Sequence, residues 1–330
     1  MIPQTVGNYR VTGPLGKGST GVIYRAARRD SNLPVALKVV AASRLPTAEA
    51  RQQFLEEAES ALLLTHPRLR QLYDVIESEG NLYLALEYLD GATLKNLLVS
   101  GPVALEAALA WGAELADGLA AAHEHGVVHG ELTSAKVFVT QEGTVKLLDP
   151  GLWRLAVPTG VDLSQEASLE QAQLPATTVA ALAPEQIAGN EPDDRSDIFS
   201  LGVLVYQMVT GRNPFLEPSL VDTMHCVLQR TPEPVSQLIP QAPVALDAVL
   251  AKALEKEPEK RYNSASELAG ALRAVAAGEE VPRPEMLPAE LPPEEAAAAQ
   301  AKRLTLPYLI GLGGLALLFA IWLLYLALTR

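Results

Sequence analysis

Apolar positions recur every second residue in several short stretches near the amino terminus and every third or fourth residue further on, and this change of period divides the chain. Tyr9-Arg-Val11, then Gly16-Lys17-Gly18, then Gly21-Val22-Ile23-Tyr24-Arg25 read as strand, turn and strand. Val35-Ala36-Leu37-Lys38-Val39-Val40 is a third strand and Leu82-Tyr-Leu84-Ala-Leu86 another. From Ala48 to Leu64, Phe54, Leu55, Ala58, Ala61 and Leu62 share one face of a helix. Leu105 to His125 and Ile198 to Val209 are long apolar-rich helices, and Ser264-Ala-Ser-Glu267 opens the last helix as a capping box, with the glutamate reaching back to the cap. The pattern predicts an α+β domain over residues 8–276, a small strand-rich part followed by a larger helical one. No internal repeat interrupts it.

Beyond that domain the composition shifts. Pro282, Pro284, Pro288, Pro292 and Pro293 stand among acidic and small residues, which predicts an extended, solvated linker over residues 277–303. Residues 304–329 contain no charged side chain and are long enough to cross a hydrocarbon core of about 30 Å as a helix. Tyr308 near one end and Trp322 and Tyr325 near the other suit interfacial belts. Lys302 and Arg303 precede the run and only Arg330 follows it, so the positive-inside rule predicts a single-pass membrane protein with its folded domain in the cytoplasm. Gly311, Gly313 and Gly314 offer a close-approach surface for a homodimer through the span, without a clean Gly-xxx-Gly frame.

A net charge of -13 argues against a broad nucleic-acid surface, because phosphate binding depends on clustered Lys and Arg releasing counterions. The single cysteine, Cys226, cannot form an internal disulfide, and no basic segment followed by an apolar run opens the chain. Both suit a reducing compartment. His123 and His125 lie too near the end of a helix, with too few acidic or cysteine companions, to suggest a metal site, and His129 reads as a packed loop residue.

The chemistry lies in short motifs whose order matters more than any one of them. Gly16, Gly18 and Gly21 with Val22 form a glycine-rich turn between strands; Lys38 sits in Val-Ala-Leu-Lys; Glu57 lies on the first helix. Further on come Leu86-Glu87-Tyr88, then His129-Gly130-Glu131-Leu132-Thr133-Ser134-Ala135-Lys136, Asp149-Pro150-Gly151, Ala183-Pro184-Glu185, Asp197 and Arg261. In this order and spacing the chain resembles the Ser/Thr protein-kinase family, especially its bacterial membrane-anchored branch, over nearly all of residues 8–276. The resemblance implies a bilobal fold with a β-rich amino-terminal lobe and a helical carboxy-terminal lobe. It also implies ATP and Mg2+ as cofactors. The glycine loop and Lys38 would hold phosphates, Glu57 would pair with Lys38, Val22 and Ala36 would roof the adenine, and Glu87 and Tyr88 would lie along its edge. Asp149 would be the metal ligand, and Glu185 and Arg261 a structural ion pair.

Against that family the catalytic loop has its working parts exchanged. Glu131 stands where an aspartate accepts the substrate hydroxyl proton, Thr133 where a lysine contacts the transferred phosphate, and Lys136 where an asparagine holds a second metal ion. Glu131 is one methylene too long, and a cation cannot ligate magnesium. Pro150 replaces an aromatic and predicts an extended backbone at Asp149. Gly130 removes an arginine that would answer a phosphorylated loop, and Ala181 replaces a tyrosine of the peptide platform, beside Thr177 and Thr178. The residues favour a pseudokinase that binds Mg-ATP and serves cytoplasmic signalling proteins as scaffold or allosteric regulator. One alternative is a weakly active Ser/Thr kinase with Glu131 as base and Lys136 as charge stabiliser; another is an interaction scaffold that binds no nucleotide.

Overall fold

The computed structural model describes residues 4–18, 21–40, 42, 45, 47–152 and 174–279, all within one compact unit formed from residues 1–282. Most of the linker and all of the predicted span, residues 304–329, lie outside the described residues. Among the described residues no helix is long and apolar enough to cross a membrane.

The amino-terminal lobe is a six-stranded antiparallel sheet, built from β1 (Thr5–Val6), β2 (Tyr9–Gly18), β3 (Gly21–Arg28), β4 (Pro34–Val40), β5 (Leu72–Ser78) and β6 (Asn81–Glu87) in the order β1-β2-β3-β4-β6-β5. Its two faces follow from the period of two. Ala36, Val40, Leu82, Leu84 and Leu86 pack on Phe54, Ala58 and Ala61 of helix α1 (Ala48–Leu62), while Val35, Leu37, Tyr83 and Ala85 join Val6, Tyr9 and Ala26 on the other side. Lys38 shares the face of Ala36 and Val40, so the strand turns it toward α1 rather than toward solvent. A side chain as fully buried as Phe54 or Leu84 stabilises the lobe by roughly 1.5–3 kcal/mol.

The carboxy-terminal lobe is helical, as the pattern predicts: α2 (Leu94–Leu98), α3 (Leu105–His123), α4 (Ala176–Val179), α5 (Pro184–Ile187), α6 (Asp194–Thr210), α7 (Leu220–Gln229), α8 (Val235–Leu238), α9 (Val244–Ala253) and α10 (Ala265–Ala276). Helix α6 is apolar on nearly every side because it runs through the core, packed on α3, α9 and α10. Asp193 caps it by accepting from Arg195 and Ser196 amides at 2.9 and 3.0 Å, and Gly211 ends it in a left-handed conformation at φ 74°. At α10, Ser264 caps as predicted, but Glu267 reaches past it to the Asn263 amide at 3.1 Å.

A second sheet of β7 (Gly91–Thr93), β8 (Val137–Thr140) and β9 (Val145–Leu147) sets the geometry of the site. The register Val137↔Leu147 puts the residue before β8 opposite the residue after β9, and the Leu148 amide donates to the Lys136 carbonyl at 2.8 Å. Lys136 and Asp149 are thereby brought to one place by a hairpin.

Candidate active site

The loop from His129 to Lys136 is suspended from one buried carboxylate. Asp197, in the first turn of α6, accepts the backbone N–H of His129 through Oδ2 and that of Gly130 through Oδ1, both at 2.8 Å. Its Oδ2 also takes a hydrogen bond from His123 Nε2 at 2.8 Å, which joins the end of α3 to the start of α6. Burial opposes a charge on His123, but the hydrogen bond and charge of Asp197, with Asp194 and Asp193 behind it, win and raise its pKa above the ordinary value. His129 is different. Its Nε2 donates to the Leu148 carbonyl at 3.0 Å and its Nδ1 accepts from the Glu131 amide at 3.3 Å, which fixes the neutral tautomer, and burial pushes its pKa down. Gly130 stands at φ 68°, where any side chain is strained, and its carbonyl accepts from Gln186 Nε2 at 2.8 Å.

On this frame four charged side chains converge. Lys38 Nζ lies 2.7 Å from Asp149 Oδ2; Lys136 Nζ lies 3.1 Å from the same oxygen and 3.1 Å from Glu131 Oε2. All four residues are buried, none more than 9 % exposed. Burial alone would raise the pKa of Asp149, yet Lys38, Lys136 and Arg70 hold it well below the usual carboxylate range. Burial would lower Lys136, but Asp149 and Glu131 raise it, so it stays an ammonium. Lys38 is lowered by burial, only partly offset by Asp149. The predicted partner of Lys38 was Glu57 on α1; the ammonium goes to Asp149 instead, where the negative charge lies deepest.

Asp149 corrects a second expectation. Its φ is 60°, left-handed rather than extended, despite the proline that follows. Strain of that kind costs on the order of 1–3 kcal/mol and persists where the surroundings over-determine it. Two ammonium groups on one buried carboxylate oxygen do so here. Pro150 does remove an aromatic side chain, but Leu152 packs against the α1 cluster in its place.

Above this centre the glycine turn lies where β2 meets β3, with Gly18 paired to Gly21 and Gly16 to Ile23. A Cβ on Gly21 would stand 2.1 Å from the Val39 carbonyl oxygen, so only glycine lets the start of β3 approach β4 this closely; at Gly16 the space is open. Ala36 is buried and Val22 is 36 % exposed, as a roof over an open cleft requires. Tyr88 lies beneath the Arg25 guanidinium, 5.0 Å from the ring centre. Glu87 is tied down on every side: its amide donates to the Gln71 carbonyl, its carbonyl accepts from Arg70 Nε at 2.9 Å, and its carboxylate pairs with Lys146 at 2.9 Å. Far below, Arg261 holds Glu185 through two hydrogen bonds of 2.7 Å, the ion pair the resemblance implied.

Residues 9–271 match the protein kinase domain family. The chain belongs to the protein kinase domain family. Among its relatives, serine/threonine-protein kinase PknB of Mycolicibacterium smegmatis is 32% identical over 278 residues, covering 83% of this chain and 44% of PknB. Serine/threonine-protein kinase Pkn1 of Myxococcus xanthus is 34% identical over 283 residues, 84% of this chain and 39% of Pkn1. The chain thus spans less than half the length of these curated relatives. The crystal structure of the Mycobacterium tuberculosis PknI kinase domain is similar with a TM-score of 0.67 at 26% identity, covering 84% of this chain and all of that domain.

Kinases of this family generally use ATP and Mg2+. The glycine turn, Lys38 and the Ala36 roof fit a nucleotide. The residues around Asp149 do not fit a divalent ion: its Oδ2 is taken by two lysines, and Lys136 puts a cation where a second ligand would be. Among the described residues no three of His, Cys, Asp and Glu converge on a metal position. A hard cation such as magnesium asks for an octahedral shell of oxygens.

On the helical side of the loop, Glu131, Thr133, Lys136, Thr177, Thr178 and Ala181 line a cavity of about 320 Å³. Sequence reasoning missed Arg70 and the His123–Asp197 joint. Arg70 sits in a short connection without periodicity, and the partner of His123 lies 74 residues away on another helix.

Proposed function

We propose that this chain is a membrane-anchored pseudokinase, which binds a nucleotide between its lobes and acts on cytoplasmic signalling proteins through the surface it presents. The observation that carries this reading is Lys136. Its ammonium touches the Glu131 carboxylate at 3.1 Å, so it competes with an incoming hydroxyl for the lone pairs that would accept the proton. The longer side chain adds a misplacement of roughly 1 Å, which can cost about a hundredfold, and loss of general-base help costs about 10²–10⁴. Membrane anchoring through residues 304–329 rests on their lack of charge and on Lys302 and Arg303 before them.

The test is a phosphotransfer assay on the full chain with labelled ATP and a protein acceptor. The expected signal is no higher than that of Asp149→Ala. A slow-kinase reading has one observation in its favour: Glu131 keeps a carboxylate at the base position, beside a cavity open to Thr177 and Thr178. Transfer that survives in the native chain and disappears in Glu131→Gln would establish that reading and end the first. A third reading, an interaction scaffold that binds no nucleotide, predicts instead that ATP does not bind the chain at all.

A further inference from the structure

We propose that Lys136 is a built-in counter-ion, and that the cleft takes a nucleoside triphosphate without a divalent metal. The inference rests on the nucleotide-binding reading above and goes beyond it, because it names the form of the ligand. Lys136 is the last residue of a short helical turn, Ser134–Lys136, and its carbonyl is held by the Leu148 amide, so its stem is anchored at the base of the cleft. An ammonium carries three donors. One is donated to Asp149 Oδ2 at 3.1 Å, the Glu131 carboxylate lies 3.1 Å away as an ion pair, and donor capacity remains for a phosphate oxygen.

Charge points the same way. Beside Asp149 and Glu131, Lys136 already supplies the positive charge that a metal ion would bring to two buried carboxylates, and with Lys38 the four side chains balance. A divalent cation would have to enter beside two fixed ammonium groups, whereas a triphosphate meets them as counter-charges. Asp149 Oδ1, buried and without a hydrogen-bond partner, is the one carboxylate oxygen of Asp149 not already held by an ammonium, and a single oxygen falls short of the shell magnesium requires. Lys38 and Lys136 share Oδ2, so the two ammonium groups lie close together as a pair of fixed cations that a polyphosphate can bridge.

The experiment is isothermal titration of ATP into the full-length chain in detergent, once with EDTA and once with magnesium. Native protein is expected to bind in EDTA with a Kd within about threefold of its value in magnesium. Lys136→Asn, which exchanges the ammonium for an amide oxygen, should bind at least about tenfold more weakly in EDTA and regain affinity when magnesium is added. Lys136→Arg keeps the charge and should keep metal-free binding, which separates loss of the cation from loss of the fold. Native binding that weakens more than about tenfold in EDTA would overturn the inference while leaving nucleotide binding intact. Metal-free binding unchanged in Lys136→Asn would overturn the role of Lys136. No binding in either buffer would remove the nucleotide-binding reading itself, and the inference with it.

Discussion

Lys136 shows how one side chain can satisfy a group of charges that would otherwise repel. Glu131 and Asp149 are both buried, and the ammonium between them is what lets two carboxylates lie close together in the absence of ligand. Lys136→Met should therefore destabilise the protein by about 3 kcal/mol, the scale of breaking a buried ion pair, measured by urea unfolding of the ligand-free chain. An unchanged midpoint would mean that Lys38 alone balances both acids. The sequence placed Lys38, Asp149, Glu131 and Lys136 correctly in the order of the chain, yet it could not show which cation meets which anion. Motif spacing locates a backbone position; a side chain chooses its partner by depth and charge. For that reason Lys38 was expected on Glu57 and is found on Asp149, and Arg70 was not expected in the site at all.

Among the elements, the joint between α3 and α6 carries a pH dependence that can be worked out. His123 has a raised pKa in the folded chain, so its contribution to stability is complete below its unfolded value near 6.5 and is lost as pH rises through the folded value. His129 and His66 have lowered values, and the stability they affect is lost in the opposite direction, as pH falls below about 6.5. Thermal unfolding of His123→Asn, followed from pH 6 to pH 9, should therefore lose less stability toward the alkaline end than the native chain does. Parallel curves for the two proteins would show that the imidazole is neutral throughout. The main elements were readable, strands at a period of two, helices at three to four, and boundaries of α3 and α6 within a few residues, whereas β5, the β7–β8–β9 sheet and helices α7 to α9 were not read. What could not be read was the contact between them, since His123 and Asp197 belong to separate periodic runs and nothing in either run refers to the other.

At the scale of the whole molecule, the folded domain and the proposed anchor lead to separate predictions. The anchor predicts that the full chain sediments with membranes and resists extraction by high salt, and that deleting residues 304–329 releases it to the soluble fraction. A full chain that stays soluble would refute the anchor and leave the cleft untouched. The domain makes its claim through a feature already described: Asp197 grips the catalytic loop by the amides of His129 and Gly130, not by its side chains. A loop hung by its main chain is a socket. The side chains at 131, 133 and 136 can be exchanged without loosening the main-chain grip that positions them, so long as the buried charges stay balanced, and a handful of matched changes moves the same scaffold back toward its relatives.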